Sequence, residues 1–100
     1  MSILIMTPNE MAKHIAKQAQ QKRLSLNLSQ QTLSARSGVS YGVIKKFERS
    51  GQISLGSLLK IALVLGGLAA FQTLFALDNP EQLLSMDELI NDKIRKRGRK

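Results

Sequence analysis

Ser29–Gly51, SQQTLSARSGVSYGVIKKFERSG, carries two short helical patterns joined by a Ser37-Gly38-Val39-Ser40 turn. Ser29 caps the first, which runs through Arg36 and buries Leu28 and Leu33, and Gly38 ends it. Ser40 caps the second, which reaches Arg49 with Val43, Ile44 and Phe47 predicted to face inward. Its polar side shows Tyr41, Gly42, Lys45 and Lys46. Two helices fixed at an angle by a tight Gly-containing turn form a rigid device for placing one of them in a DNA major groove.

The flanking sequence extends this into an all-α reading. Thr7-Pro8-Asn9-Glu10 is a strong helix start: Thr7 caps, Pro8 suits the first helical position, and Glu10 completes a Thr-x-x-Glu capping box. That helix is predicted to run to about Leu24 with Met11, Ile15 and Ala19 on one face, and Asn27 supplies a left-handed stop. Downstream, Ser54 caps a helix over Leu55–Leu65 and Gly66-Gly67 breaks it. A fifth apolar helix is expected over Leu68–Leu77, followed by a turn at Asp78-Asn79-Pro80, a short helix to about Ile94 and a solvated end over Lys93–Lys100. Strand-like alternation is confined to Ser2–Met6. The expected division is an extension over 1–6, a domain over 7–77, and an acidic short helix with a basic tail over 78–100.

One hundred residues suit one small domain with a single core. Three Phe and one Tyr are the only aromatics, so that core must be built from Leu, Ile, Val and Ala. The absence of Cys excludes disulfides and thiolate metal sites and fits a reducing cytosol. Met1–Met6 has no charged leader and is too short for a secretory apolar core, so no signal peptide is expected, and a cytoplasmic location is the expectation.

The net charge of +8 is unevenly spread. Residues 7–65 hold nine Lys or Arg against two acids, 66–90 hold four acids and no base, and 91–100 hold six bases and one acid. A basic body and a basic tail enclosing an acidic patch point to a polyanion partner and to a second surface facing something else. Nucleic acid fits that partner better than a membrane surface. The Leu58–Leu77 run has the length of a membrane span, but Lys60, Gly66-Gly67 and Gln72-Thr73 split it into two shorter helices. Leu68, Phe71, Leu74 and Phe75 recur at helical spacing there and make a large apolar face for so small a chain, so a two-fold homodimer is expected.

LSQQTLSARSGVSYGVIKKFERSG followed by ISLGSLLKIALVLG resembles the Xre/phage-repressor class of helix-turn-helix proteins over about residues 15–68. The downstream FQTLFAL, Pro-containing turn, SMDELI and Arg/Lys tail are similar to the HipB-like antitoxins that accompany HipA-like kinases. The resemblance implies a compact five-helix, lambda-repressor-like domain. It implies that Gln30, opening the second helix, contacts the phosphate backbone, and that Tyr41, Gly42, Lys45 and Lys46 face bases or flanking phosphates. It also implies an ion pair between Arg23 and Glu48 tying the first helix to the third.

Chemistry at these positions supports such roles. Free N–H groups at the Ser40 cap can meet a phosphate. Lys can donate to guanine O6 and N7, and Tyr can donate one hydrogen bond or pack on a thymine methyl. Arg49, at the helix end, suits a phosphate. This sequence departs from the family pattern at Gly42, where a polar base reader is usual, and at Ser34 and Ser37, where small apolar residues are usual.

The functions implied are a sequence-specific DNA-binding repressor of a palindromic operator, and an antitoxin that binds a HipA-like serine/threonine kinase and autoregulates its operon. The rival is a stand-alone or phage Cro-type regulator without a toxin partner. His14 stands alone and reads as a surface histidine. No nucleophile–base pair, metal cluster or phosphate loop is visible, so neither an enzyme nor a cofactor is expected.

Overall fold

A computed structural model describes residues 6–77. The order is α1 (Pro8–Ser25), α2 (Gln30–Ser37), α3 (Tyr41–Ser50), α4 (Leu55–Leu65) and a 3-10 helix (Leu68–Thr73). No strand occurs among the described residues, and none of their helices is long and apolar enough to cross a membrane. The chain divides into two units between Ala69 and Ala70. The proposed strand in Ser2–Met6 lies outside the described residues, Met6 apart, as do the helix from Pro80 and the basic tail.

Each α-helix begins with a hydroxyl residue in extended conformation whose side chain accepts a backbone N–H three residues on. Thr7 accepts from Glu10 N at 3.1 Å while Glu10 Oε1 accepts from Thr7 N at 2.9 Å, a complete capping box. Ser29, Ser40 and Ser54 accept from Thr32, Val43 and Ser57. Left-handed residues stop the helices: Asn27 (φ 59°) follows α1, and Gly38, Gly51 and Gly66 follow the other three.

The core of the first unit gathers Ala16 from α1, Leu28, Leu33 and Val39 around α2, Ile44 and Phe47 from α3, and Ile61 and Leu65 from α4. Ile44, Phe47, Leu33 and Ile61 are the largest side chains fully removed from water. Phe47 is the one aromatic among them, and the remainder are aliphatic.

Of the face of α1 expected to be buried, Ile15 and Ala19 pack against the core, whereas Met11 is 41 % exposed and the deepest residues are Ala16 and Arg23. The end of α3 comes close to the backbone of α1. A Cβ on Gly51 would lie 2.8 Å from the Ala12 carbonyl carbon and 2.9 Å from Lys13 N, and Gly51 has a φ of 83°. Only glycine fits there.

Val43 is likewise not buried as expected; it is 38 % exposed. The inward edge of α3 that the hydrophobic pattern gave to Val43 is occupied on the opposite side by Glu48. With Ile44, Phe47 and Glu48 defining the buried face, Val43 falls roughly 90° away at 100° per residue.

The segment after Gly67 is also shorter and tighter than the α-helix expected over Leu68–Leu77. It is a 3-10 helix ending at Thr73, and Phe75 takes a positive φ of 67°. None of Leu68–Thr73 is buried, and a short helix without a packed face gains too little to hold the α form.

Arg23 and Glu48 join α1 to α3 through side chains only 8 % and 4 % exposed. Arg23 Nε donates to Glu48 Oε2 at 2.7 Å and Nη2 to Oε1 at 2.9 Å, the two-point geometry favoured by guanidinium and carboxylate. Nη1 donates to the Leu28 carbonyl at 2.8 Å, and Gln30 Nε2 donates to Glu48 Oε1 at 2.9 Å. Arg23→Ala leaves a buried carboxylate unpaired and should cost about 3–5 kcal/mol, whereas the double change Arg23→Met with Glu48→Leu should cost far less. Urea unfolding of the two variants beside the parent checks this; equal losses would contradict it.

Candidate nucleic-acid interface

The turn between α2 and α3 sets the direction in which α3 points. Ser37 ends α2, Gly38 reverses the chain at a φ of 79°, Val39 is buried, and Ser40 starts the next helix. Gly38 N donates to the Ser34 carbonyl at 2.9 Å. The Ser34 hydroxyl donates to the Val39 carbonyl at 2.6 Å, and the Ser37 hydroxyl accepts from Val39 N at 3.1 Å. Both polar groups of a buried backbone unit are therefore satisfied by the two serines that depart from the family pattern. Their hydroxyls clamp the turn.

Tyr41, Gly42, Lys45, Lys46 and Arg49 are all exposed on α3, on the side away from Ile44 and Phe47. Lys45 Nζ stands 5.0 Å from the centroid of the Tyr41 ring one turn earlier, so these two side chains hold one another in a cation–π contact. Arg49 lies in the last turn. The hydroxyl of Ser40 is engaged by Val43 N, which leaves the N–H groups of Tyr41 and Gly42 at the helix mouth without intrahelical acceptors. An added Cβ at Gly42 would meet nothing within 4 Å. Nothing among the described residues therefore demands glycine at this point.

Two grooves flank α3. One, of about 330 Å³, is lined by Arg23, Ser29, Gln30, Gln31 and Tyr41, so the structure brings Gln30 and Tyr41 together. The other, of about 340 Å³, is lined by Val43, Lys46, Gln52, Ile53, Ser54 and Ser57. Lys46 thus stands apart from Tyr41, with Gly42 on the ridge between them. Gln30 has one amide hydrogen committed to Glu48, and the second is left for another acceptor.

Gln31, Gln52 and Val43 line the grooves without having been selected from the sequence. Gln31 was legible as the neighbour of Gln30 beside a helix cap. Val43 was not, since hydrophobicity alone sends it to the core. Leu68, Leu74 and Phe75, from the expected dimer face, are 36 %, 55 % and 92 % exposed, and Phe71 is half-buried. His14 is exposed, and no group of three or more metal-ligating side chains occurs among the described residues.

A family model described as helix-turn-helix matches residues 20–69, half of the chain. No curated protein and no solved structure matches it. The matched residues span Arg23, the α2–turn–α3 unit and α4.

Gly42→Ala should raise stability by about 0.5–1 kcal/mol, because the position is helical and open and alanine loses less backbone entropy than glycine. A higher thermal midpoint is the expected result, and a lower one would show a steric demand inside the fold.

Proposed function

Because the chain belongs to the helix-turn-helix family of DNA-binding transcription regulators, we propose that it is a homodimeric repressor reading a palindromic operator. One observation carries this reading: α3 presents an exposed basic face while Arg23, Glu48 and the serine-clamped turn hold its other side. Helix and turn arrive at DNA already ordered, so little conformational entropy is left to lose on binding.

In this proposal α3 enters the major groove with its N-terminal end leading. The N–H groups beside Ser40 and the second amide hydrogen of Gln30 meet phosphates, as does Arg49. Lys46 donates to guanine O6 or N7. Tyr41 and Lys45, already paired with each other, act at the groove edge. Gly42 brings the helix backbone against the DNA, which is why no side chain stands there.

The apolar set Leu68, Phe71, Leu74 and Phe75 supplies the contact between two copies. A two-fold axis then sets the recognition helices about 34 Å apart, on successive major grooves. Likeness of the C-terminal third to HipB-like antitoxins supports a further role, neutralisation of a HipA-like serine/threonine kinase, with DNA binding serving autoregulation. Co-purification with such a kinase encoded beside it is the expected outcome; a protein that represses its operon without one is the stand-alone regulator.

Sequencing DNA captured from a random pool by the purified protein tests the operator reading. Lys46→Ala should then weaken operator binding by roughly 1–3 kcal/mol and random-DNA binding much less. Equal losses on both would make Lys46 a phosphate contact. Gly42→Ala, although more stable, should bind the operator less tightly; unchanged affinity would remove the close approach from the proposal.

A further inference from the structure

An aliphatic side chain stands on α3 where a solvated helix has no use for one. Val43 is 38 % exposed and borders the groove that also receives Lys46 and Ile53. The core closes without it, since Ile44 and Phe47 on the same helix are 0 % and 2 % exposed. A single exposed valine is ordinary on a protein surface. The position of this one is not, because Lys46 follows it by three residues and so projects from the same stretch of the helix. The groove therefore sets two apolar side chains, Val43 and Ile53, beside one ammonium group, with Gln52, Ser54 and Ser57 completing its lining.

Base edges offer few partners for that combination. The major groove displays hydrogen-bonding atoms on every pair, and its one apolar group is the 5-methyl of thymine. An ammonium beside an apolar wall fits a thymine methyl next to the O6 and N7 acceptors of guanine. Tyr41 does not compete for this site, because it lines the opposite groove.

We propose that Val43 is a specificity-determining residue that packs on the methyl group of a thymine adjacent to the guanine contacted by Lys46. This rests on the DNA-reading function proposed above and adds the base that the reader recognises. It also makes this surface discriminate thymine from uracil, which presents the same hydrogen-bonding edge without the methyl.

The test begins from the operator selected out of random DNA by the purified protein. Each thymine is replaced singly by deoxyuridine, and the affinities of the parent and of Val43→Ala are measured on every duplex. Truncation of an exposed side chain leaves the core intact, and an unchanged helical circular-dichroism signal verifies it. For the parent, one thymine beside a guanine should be sensitive, with a loss of roughly fourfold for one buried methyl. Val43→Ala should bind the thymine operator more weakly by a similar factor and lose nothing further at that deoxyuridine. Sensitivity undiminished in Val43→Ala, or no sensitive thymine in the parent, overturns the proposal even when operator binding is intact. Equal binding to selected and random DNA removes the operator reading first and this inference with it.

Discussion

A carboxylate held away from water organises this fold. Glu48 sits on α3 with its side chain 4 % exposed, and its hydrogen-bond partners hold it in place. Arg23 meets both of its oxygens, and Gln30 donates to one of them. Arg23 also donates from Nη1 to the Leu28 carbonyl, in the link between α1 and α2. One guanidinium thereby positions α1, the start of α2 and the inner side of α3 together. Two apolar residues of similar size would contribute comparable stability, because desolvation offsets much of the Coulomb attraction in a buried pair. They would not impose the same rotation on α3. The two-point hydrogen-bond geometry does, and the exposed face follows from it.

The rest of the framework adds a second brace rather than a second core. Gly51 brings the end of α3 against the backbone of α1 at Ala12 and Lys13, a contact that any side chain would block. The Ser34 and Ser37 hydroxyls secure the other end, where the chain enters α3. Polar groups and missing side chains thus determine where α3 points, while Leu33, Ile44, Phe47 and Ile61 supply the hydrophobic burial that keeps it folded. That division accounts for how a domain with only one buried aromatic holds a recognition surface steady.

Helix boundaries were largely legible in the sequence because caps act locally. Thr7, Ser29, Ser40 and Ser54 each bond within three residues of themselves, and Asn27, Gly38 and Gly51 take the left-handed stops that their residue types favour. Faces were less legible because they depend on partners distant in sequence. Met11 and Val43 look like core residues by pattern, yet they are 41 % and 38 % exposed. Ser34 and Ser37 read only as departures from a pattern until Val39 is seen to use both hydroxyls. Over Leu68–Leu77, apolar periodicity alone predicted an α-helix, and periodicity cannot supply the burial that would sustain one. The exposed set on α3 was visible in advance as residue types, but its division into two grooves, with Gln30 and Tyr41 in one and Lys46 in the other, required the fold.

Such a division bears on how a reader with so few base-facing side chains achieves selectivity. Tyr41 and Lys45 are tied to each other, Gly42 has no side chain, and Arg49 lies at the far end of the helix. In the proposal above, Lys46 and Val43 are the pair that distinguishes bases. Discrimination of about 2 kcal/mol in one half-site is only some thirtyfold. In the proposed two-fold dimer the same contacts occur twice on one rigid axis, so the energies add and the ratio is squared, to roughly a thousandfold. That is the lower end of what specific DNA binding requires. If that dimer forms as proposed, selectivity depends on the apolar residues beyond Gly67 as much as on α3, because a monomer with the same helix would have only the square root of the dimer's discrimination.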